Sequence, residues 1–286
     1  MGEPVAILAG SGQLPLQVVE HLERTGRDHR ILAIRGFVER DVRRRAHAVV
    51  DLLDIKGILA VLDGWRPAAV ALAGAVSRPG FSTLLGAYSL VRNRQEVRDV
   101  IARGDDGMLR GAVGLLEEHG HRVVGPHELA PHLVAARGLR GGVASGEPER
   151  IAVDLGLDLL RSLSAFDVGQ AAVVARRRVL AVEGPEGTDR MLRRVRKLNQ
   201  PWYGGRARRE GGVLVKAAKA GQDLRVDMPA VGPRTVVECA RAGLSGIAVG
   251  AGSTLLLEQE RALQEADRLG LFVVAVDLPW MEAAHG

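Results

Sequence analysis

Lys216, Lys219, Gln222, Asp223, Arg225, Asp227 and Thr235 crowd into one short stretch directly after the apolar run Val213-Leu214-Val215. Ammonium and guanidinium groups hold phosphate, and carboxylates hold a hard divalent cation, so the mixture suits phosphoryl chemistry. Gly221, Pro229, Gly232 and Pro233 punctuate the stretch, and a strand end is where α/β proteins place their ligands.

Four further clusters sit at similar places. Gly10-Ser-Gly12-Gln-Leu-Pro15 follows the first apolar run and opens a helical pattern. Glycines there let backbone approach a phosphate, and the helix start supplies unpaired N–H groups. Pro15 stands where a dinucleotide fingerprint has its third glycine, and the second strand ends in Ile34-Arg35 rather than an acid, so a cofactor is weakly supported. Gly74-Ala-Val-Ser-Arg-Pro79 offers Arg78 either to a phosphate or to solvent. Of Asp105 and Asp106, one reads as a helix cap and the other is available to a ligand or metal. Glu183-Gly-Pro-Glu-Gly-Thr-Asp189 sets three carboxylates before a helix, where they either ligate a hard cation or complement the helix dipole, with Thr188 or Asp189 capping.

Positioning these groups requires alternating strands and helices. Val5–Ala9, Ile31–Ile34 and Ala69–Ala73 read as buried strands, 14–25, 94–103 and 106–119 as helices, and 122–124 as a closing strand. The Gly-, Ser- and Pro-bearing stretch 137–150 reads as a linker between a domain at 1–136 and a second at 151–286. Beyond it the pattern predicts a helix over 151–163, a hairpin of 171–175 and 179–182 turned at Arg176 and Arg177, and a basic helix over 189–198. A strand at 212–216, a helix over 233–242, a strand at 246–249, a helix over 255–269 and a strand at 272–276 complete it. The fold class is α/β, in two α/β domains joined by a linker, the first doubly wound and Rossmann-like.

The bulk numbers bound the rest. A chain of 286 residues with 47% apolar content builds real cores, and with 3% aromatics it builds them from Leu, Val, Ala and Ile. A net charge of +5 favours anionic partners. The single cysteine, Cys239, excludes an internal disulfide and a cysteine zinc cluster, and reads as a small buried helix residue. The N-terminus has no basic region before its short apolar run and reads as a strand, not a leader. No apolar window reaches the length of about 18 residues that a spanning helix needs. The expectation is a cytoplasmic protein with at most peripheral membrane contact. The arginine-rich run from Arg190 to Lys197 reads as a solvated face or a site for an anionic surface, and without a recognition motif it gives no case for nucleic acid.

In chain order, Gly-Ser-Gly-Gln-Leu-Pro, Gly-Ala-Val-Ser-Arg-Pro, Gly-Asp-Asp, Asp-Val-Gly-Gln, Glu-Gly-Thr-Asp and Gln-Asp-Leu-Arg-Val-Asp-Met-Pro resemble the UDP-2,3-diacylglucosamine pyrophosphatases of the LpxI type. The match runs from Ala9 to Thr235, and six motifs in order are specific where one is weak. The resemblance implies hydrolysis of UDP-2,3-diacylglucosamine to UMP and 2,3-diacylglucosamine 1-phosphate, a step toward lipid A in Gram-negative bacteria. It implies magnesium, and an acylated nucleotide-sugar held between two domains. It makes Asp227 the first choice for metal ligand or water-positioning base, with Asp223, Asp189 and Glu183 as further catalytic candidates and Glu183, Glu186 and Asp189 as further metal candidates. Gly10, Ser11, Gly12, Arg78, Asp105, Asp106, Gln170, Thr188, Lys216, Gln222, Arg225 and Thr235 become substrate-binding candidates, Lys216 and Arg225 toward phosphate and Ser11 and Gly12 through their amides. The alternative is a nucleotide- or NADP-binding regulatory module without hydrolase activity, with Arg35 near a 2′-phosphate. Acyl-chain preference and oligomeric state are not written in the sequence.

Overall fold

The structure is a computed structural model that describes residues 3–76, 104–198 and 211–282. It divides into two compact units, the first at 1–131 with Asp223–Asp227, the second at 132–222 with 228–286.

The first unit is a five-stranded parallel sheet in the order β3-β2-β1-β4-β5. Its strands are β1 (Val5–Ala9), β2 (His29–Ile34), β3 (Ala48–Val50), β4 (Ala69–Ala73) and β5 (Val123–Val124). Helices α1 (Leu14–Arg24), α2 (Arg40–Arg45), α3 (Ile55–Trp65), α4 (Gly104–Glu118) and α5 (Pro126–Leu129) accompany them. Alternation along the strands divides the apolar side chains between two faces, and both are covered. Ala6, Leu32, Ile34 and Val70 pack with Ile58, Leu62, Val113 and Leu116 of α3 and α4. The chain leaves β1 toward β2 on one side and reaches β4 on the other, so the order reverses between β1 and β4. In doubly wound sheets such a reversal is where a ligand crevice forms, at the carboxyl ends of the strands.

The second unit holds a six-stranded sheet, β6-β13-β11-β9-β7-β8, and a two-stranded pair, β10-β12. Here β6 is Arg140–Gly142, β7 Ala171–Ala175, β8 Arg178–Val182, β9 Val213–Lys216, β10 Ala230–Val231, β11 Gly246–Gly250, β12 Leu255–Leu256 and β13 Phe272–Val276. The three central strands β9, β11 and β13 are parallel; β6, β7 and β8 run antiparallel to their neighbours. Helices α7 (Thr188–Leu198), α8 (Pro233–Arg241) and α9 (Gln259–Leu269) cover one face, through Met191, Val195, Val236, Cys239 and Ala266 against Val173, Leu214 and Ile247. The other face takes α6 (Glu147–Leu163) and α10 (Pro279–Glu282), through Val153, Leu160 and Trp280 against Val174, Val215 and Phe272.

Several sequence expectations shift. The stretch 137–150 carries β6 and the start of α6, because its glycines let Arg140–Gly142 lie along β13 as an edge strand. The units part earlier in the chain, between Pro131 and His132. The helix expected over 255–269 begins only at Gln259, since Leu255 and Leu256 pair with Ala230 and Val231 and Glu258 turns the chain at positive φ. Helices α2 and α3 and strand β3 lie where the sequence reading placed no element. The helix expected over 94–103, and Arg78, lie outside the described residues.

Candidate functional site

Strand directions in the second sheet converge on one edge. Lys216 ends β9, and its Cα partners are Ala171 at the start of β7 and Val249 near the end of β11. Ala172 in turn pairs with Val182, so Glu183 leaves the sheet beside Gln170 and Lys216. Parallel and antiparallel neighbours thus deliver their polar ends to the carboxyl edge of the central strands, the usual ligand edge of such a sheet.

A chain of hydrogen bonds ties these ends together. The Lys216 ammonium donates to Thr188 Oγ1 at 2.8 Å, and Thr188 donates to Glu183 Oε1 at 2.6 Å. Glu183 Oε2 accepts the Gln170 backbone N–H at 2.9 Å. Glu183 is buried, so it contributes only while both oxygens keep donors. Thr188 therefore does not cap α7; it relays between amine and acid. Beside this chain, the buried Lys219 pairs with Asp167, and its backbone N–H reaches the Gln222 amide oxygen at 2.8 Å. Asp189 pairs with Arg234 in the first turn of α8, and Glu186 with Arg194 at 3.0 Å. Thr235, also in that first turn of α8, is half-buried.

In the first unit, the loops after β1 and β4 meet where the strand order reverses. Ser11 N–H donates to Ala75 O at 2.7 Å, Ala75 N–H returns to Ser11 O at 3.0 Å, and the Ser11 hydroxyl adds a third bond to Ala75 O at 2.6 Å. Backbones this close need bare α-carbons: a Cβ on Gly10 would lie 2.7 Å from Ala75 O, and one on Gly74 2.5 Å from Ser11 O. The Ser11 amide expected to meet phosphate is thus spent on Ala75. Gly12, at φ +92 with open space around it, leaves its backbone approachable.

The remaining candidates of the polar run, Asp223, Arg225 and Asp227, belong to the first unit. Asp223 accepts the Arg225 backbone N–H at 3.0 Å and its guanidinium at 2.7–3.2 Å, while Arg225 Nη1 donates to Glu117 at 2.7 Å. The guanidinium holds the Asp223 carboxyl below the usual range, and the two carboxylates raise the Arg225 pKa. A carboxylate so paired is a poor base. Asp227 is half-buried.

Both halves of the chain match family models: residues 4–133 the LpxI N-terminal domain, and residues 137–274 the LpxI C-terminal domain. The chain belongs to the LpxI family. A UDP-2,3-diacylglucosamine pyrophosphatase LpxI from Caulobacter vibrioides is 39% identical over 274 residues, spanning 96% of this chain and 97% of that protein. Among solved structures, a glycinamide-RNase-transformylase T from Mycobacterium tuberculosis is 17% identical, over 65% of this chain and 44% of that one, with a TM-score of 0.21.

The LpxI-type candidates therefore fall into groups. Gln170, Glu183, Thr188 and Lys216 are joined in one network, with Asp189, Glu186, Gln222 and Thr235 in the same unit but outside the chain of bonds. Asp105 and Asp106 lie in the first turn of α4, and their side chains are outside the described residues. Among the described residues no three His, Cys, Asp or Glu side chains gather as a metal cage. Glu183, Glu186 and Asp189 each face a donor of their own unit. Arg35, the 2′-phosphate candidate of the NADP reading, bonds Asp51 at 2.9 Å.

Sequence reasoning missed two features. Glu117 emerges as the second anchor of Arg225 from a helix 108 residues away, which no local pattern shows. Ser253 and Thr254, on the Gly-Ala-Gly-Ser-Thr turn after β11, bury hydroxyls without a hydrogen-bond partner among the described residues. The glycine-and-hydroxyl run after an apolar strand was the available signal.

Proposed function

We propose that this chain hydrolyses the diphosphate of UDP-2,3-diacylglucosamine to UMP and 2,3-diacylglucosamine 1-phosphate, in the making of lipid A. Near-full-length identity to the Caulobacter vibrioides pyrophosphatase carries the reading. The Lys216–Thr188–Glu183 network supplies chemistry consistent with it.

Cleaving a phosphoric anhydride places negative charge on the bridging oxygen as water attacks phosphorus. Lys216, fixed at the ligand edge of its sheet by Thr188, is the cation assigned to that charge. Glu183 sets the direction of the Thr188 hydroxyl and so the place of the ammonium. Asp227 is assigned to orient the attacking water and to hold magnesium. Magnesium, when bound, neutralises phosphate charge. The Gly12 backbone is assigned to contact the nucleotide portion, and Gln170, Gln222 and Thr235 to orient the sugar or phosphate.

The protein is assigned to the cytoplasm, meeting the inner-membrane surface peripherally, where an acylated substrate resides. No described helix is long and apolar enough to cross a membrane. Helix α7 buries Met191, Leu192 and Val195 and exposes Arg190, Arg193, Arg196 and Lys197, a face suited to anionic headgroups.

The test is Asp227→Asn. The expected outcome is a folded protein that binds substrate and loses at least ~100-fold in turnover, the scale of general acid–base catalysis. Wild-type turnover in the folded variant would remove Asp227 from the mechanism.

A further inference from the structure

The five residues Asp223–Asp227 complete the first unit, although the chain on both sides of them belongs to the second. They form one tight turn, with Val226 and Asp227 both donating their backbone N–H to Asp223 O, at 3.2 and 3.1 Å. Three contacts hold that turn. Val226 packs against the core that includes Val70, Val113 and Val123. The Arg225 backbone lies against Gly125, whose Cβ, if present, would sit 3.2 Å from Arg225 Cα. The third is the guanidinium, with every nitrogen committed: Nε and Nη2 to Asp223, Nη1 to Glu117 of α4.

We propose that Arg225 is a positioning residue for Asp227, anchored by Asp223 within the turn and by Glu117 outside it. A guanidinium engaged on two sides by carboxylates has its charge matched and three of its five N–H donors taken within the fold. Its planar fork instead fixes a two-point geometry that an ammonium cannot reproduce. Val226 seats the middle of the turn; the Arg225–Glu117 bond stops it pivoting about that seat. Asp227 is two residues further along, so its carboxylate inherits the orientation. Solvent-exposed ion pairs add little to global stability, so removing this one loosens the turn more than it weakens the fold.

The proposal rests on the reading that Asp227 acts in hydrolysis, and the experiment separates the two. Asp227→Asn, Arg225→Gln, Arg225→Lys, Glu117→Gln and the double variant Arg225→Gln/Glu117→Gln are assayed on UDP-2,3-diacylglucosamine for kcat and KM, with thermal unfolding followed in parallel. Misplacing a catalytic group by about 1 Å costs roughly 100-fold. Arg225→Gln should therefore lose about that much kcat with KM within about 3-fold, since uniform binding is untouched. Glu117→Gln should lose kcat in the same sense, and the double variant should be no worse than Arg225→Gln alone, because both break one tether. Arg225→Lys should fail to restore kcat.

A raised KM that lysine rescues would make Arg225 a phosphate ligand and overturn the proposal, as would additive losses in the double variant. Should Arg225→Gln fail to fold, Glu117→Gln decides alone, and wild-type kcat in it overturns the proposal. If Asp227→Asn is inactive while the Arg225 variants keep their kcat, the positioning role alone fails. If Asp227→Asn is fully active, the reading of Asp227 fails and the positioning role with it.

Discussion

Replacing Glu183 by glutamine keeps the side chain's shape and removes only the second acceptor, and the surrounding bonds leave the amide no good orientation. With its NH₂ toward Gln170, two donors face each other where the carboxylate accepted at 2.9 Å. With the NH₂ toward Thr188, the threonine oxygen accepts from both the amide and Lys216, and its own proton loses the acceptor it had at 2.6 Å. Either way one donor facing the buried Glu183 position is stranded, a cost of about 1–3 kcal/mol. If the same fault is felt at the transition state, kcat/KM falls by about 5- to 150-fold, at ~1.4 kcal/mol per factor of ten. The assay pairs urea unfolding without metal with steady-state kinetics across a magnesium titration. The account expects a lower unfolding midpoint and a lower kcat/KM at saturating magnesium. An unchanged midpoint with a higher magnesium requirement would refute the reasoning, since Glu183 would then be a metal ligand and not the keystone of the Lys216–Thr188 arrangement.

Two further expectations concern packing and pH. Gly156→Ala in α6 should destabilise the protein by up to about 2 kcal/mol on urea unfolding: the new Cβ would lie 2.5 Å from Val215 Cγ2 and 2.9 Å from Val215 Cβ. That overpacking, at ~1–3 kcal/mol, exceeds the gain of about 1 kcal/mol in helix propensity. Burial lowers the His127 pKa below its ordinary 6.5, against opposing pulls from Glu128 and Asp223, and its Nδ1 has no hydrogen-bond partner among the described residues. The folded state then binds fewer protons than the unfolded chain, so this contribution is complete above pH 6.5 and lost as pH falls from there through the folded pKa. His127→Gln should flatten the decline in unfolding midpoint between pH 7.5 and 5.5, roughly one unit either side of the ordinary histidine value; an unchanged slope would contradict this.

Much of the framework was legible because it depends on short-range pattern. Val5–Ala9, Ala69–Ala73 and the hairpin at Arg176-Arg177 are apolar runs ended by turn residues, and Arg176 indeed takes positive φ. What escaped is set by distant partners. Arg140–Gly142 carries no strand signal of its own and is a strand only because β13 offers an edge. Leu255 and Leu256 continue a helical pattern yet pair with β10.

The site divides the same way. Lys216, Glu183, Thr188 and Gln170 stand out as polar residues at apolar strand ends, and the sheet directions bring them together. The sequence could not show that Ser11 donates its amide to Ala75, 64 residues on, or that Asp223 and Arg225 neutralise each other. Residue type displays capacity for chemistry; only the fold shows which capacity is already used internally.

The most direct measurement is phosphorus NMR of the purified chain incubated with UDP-2,3-diacylglucosamine, first with magnesium and then with excess EDTA. The account predicts that the diphosphate resonances give way to two phosphomonoesters, UMP and 2,3-diacylglucosamine 1-phosphate, and that chelation stops the conversion. A folded protein that leaves the diphosphate intact under both conditions would contradict it.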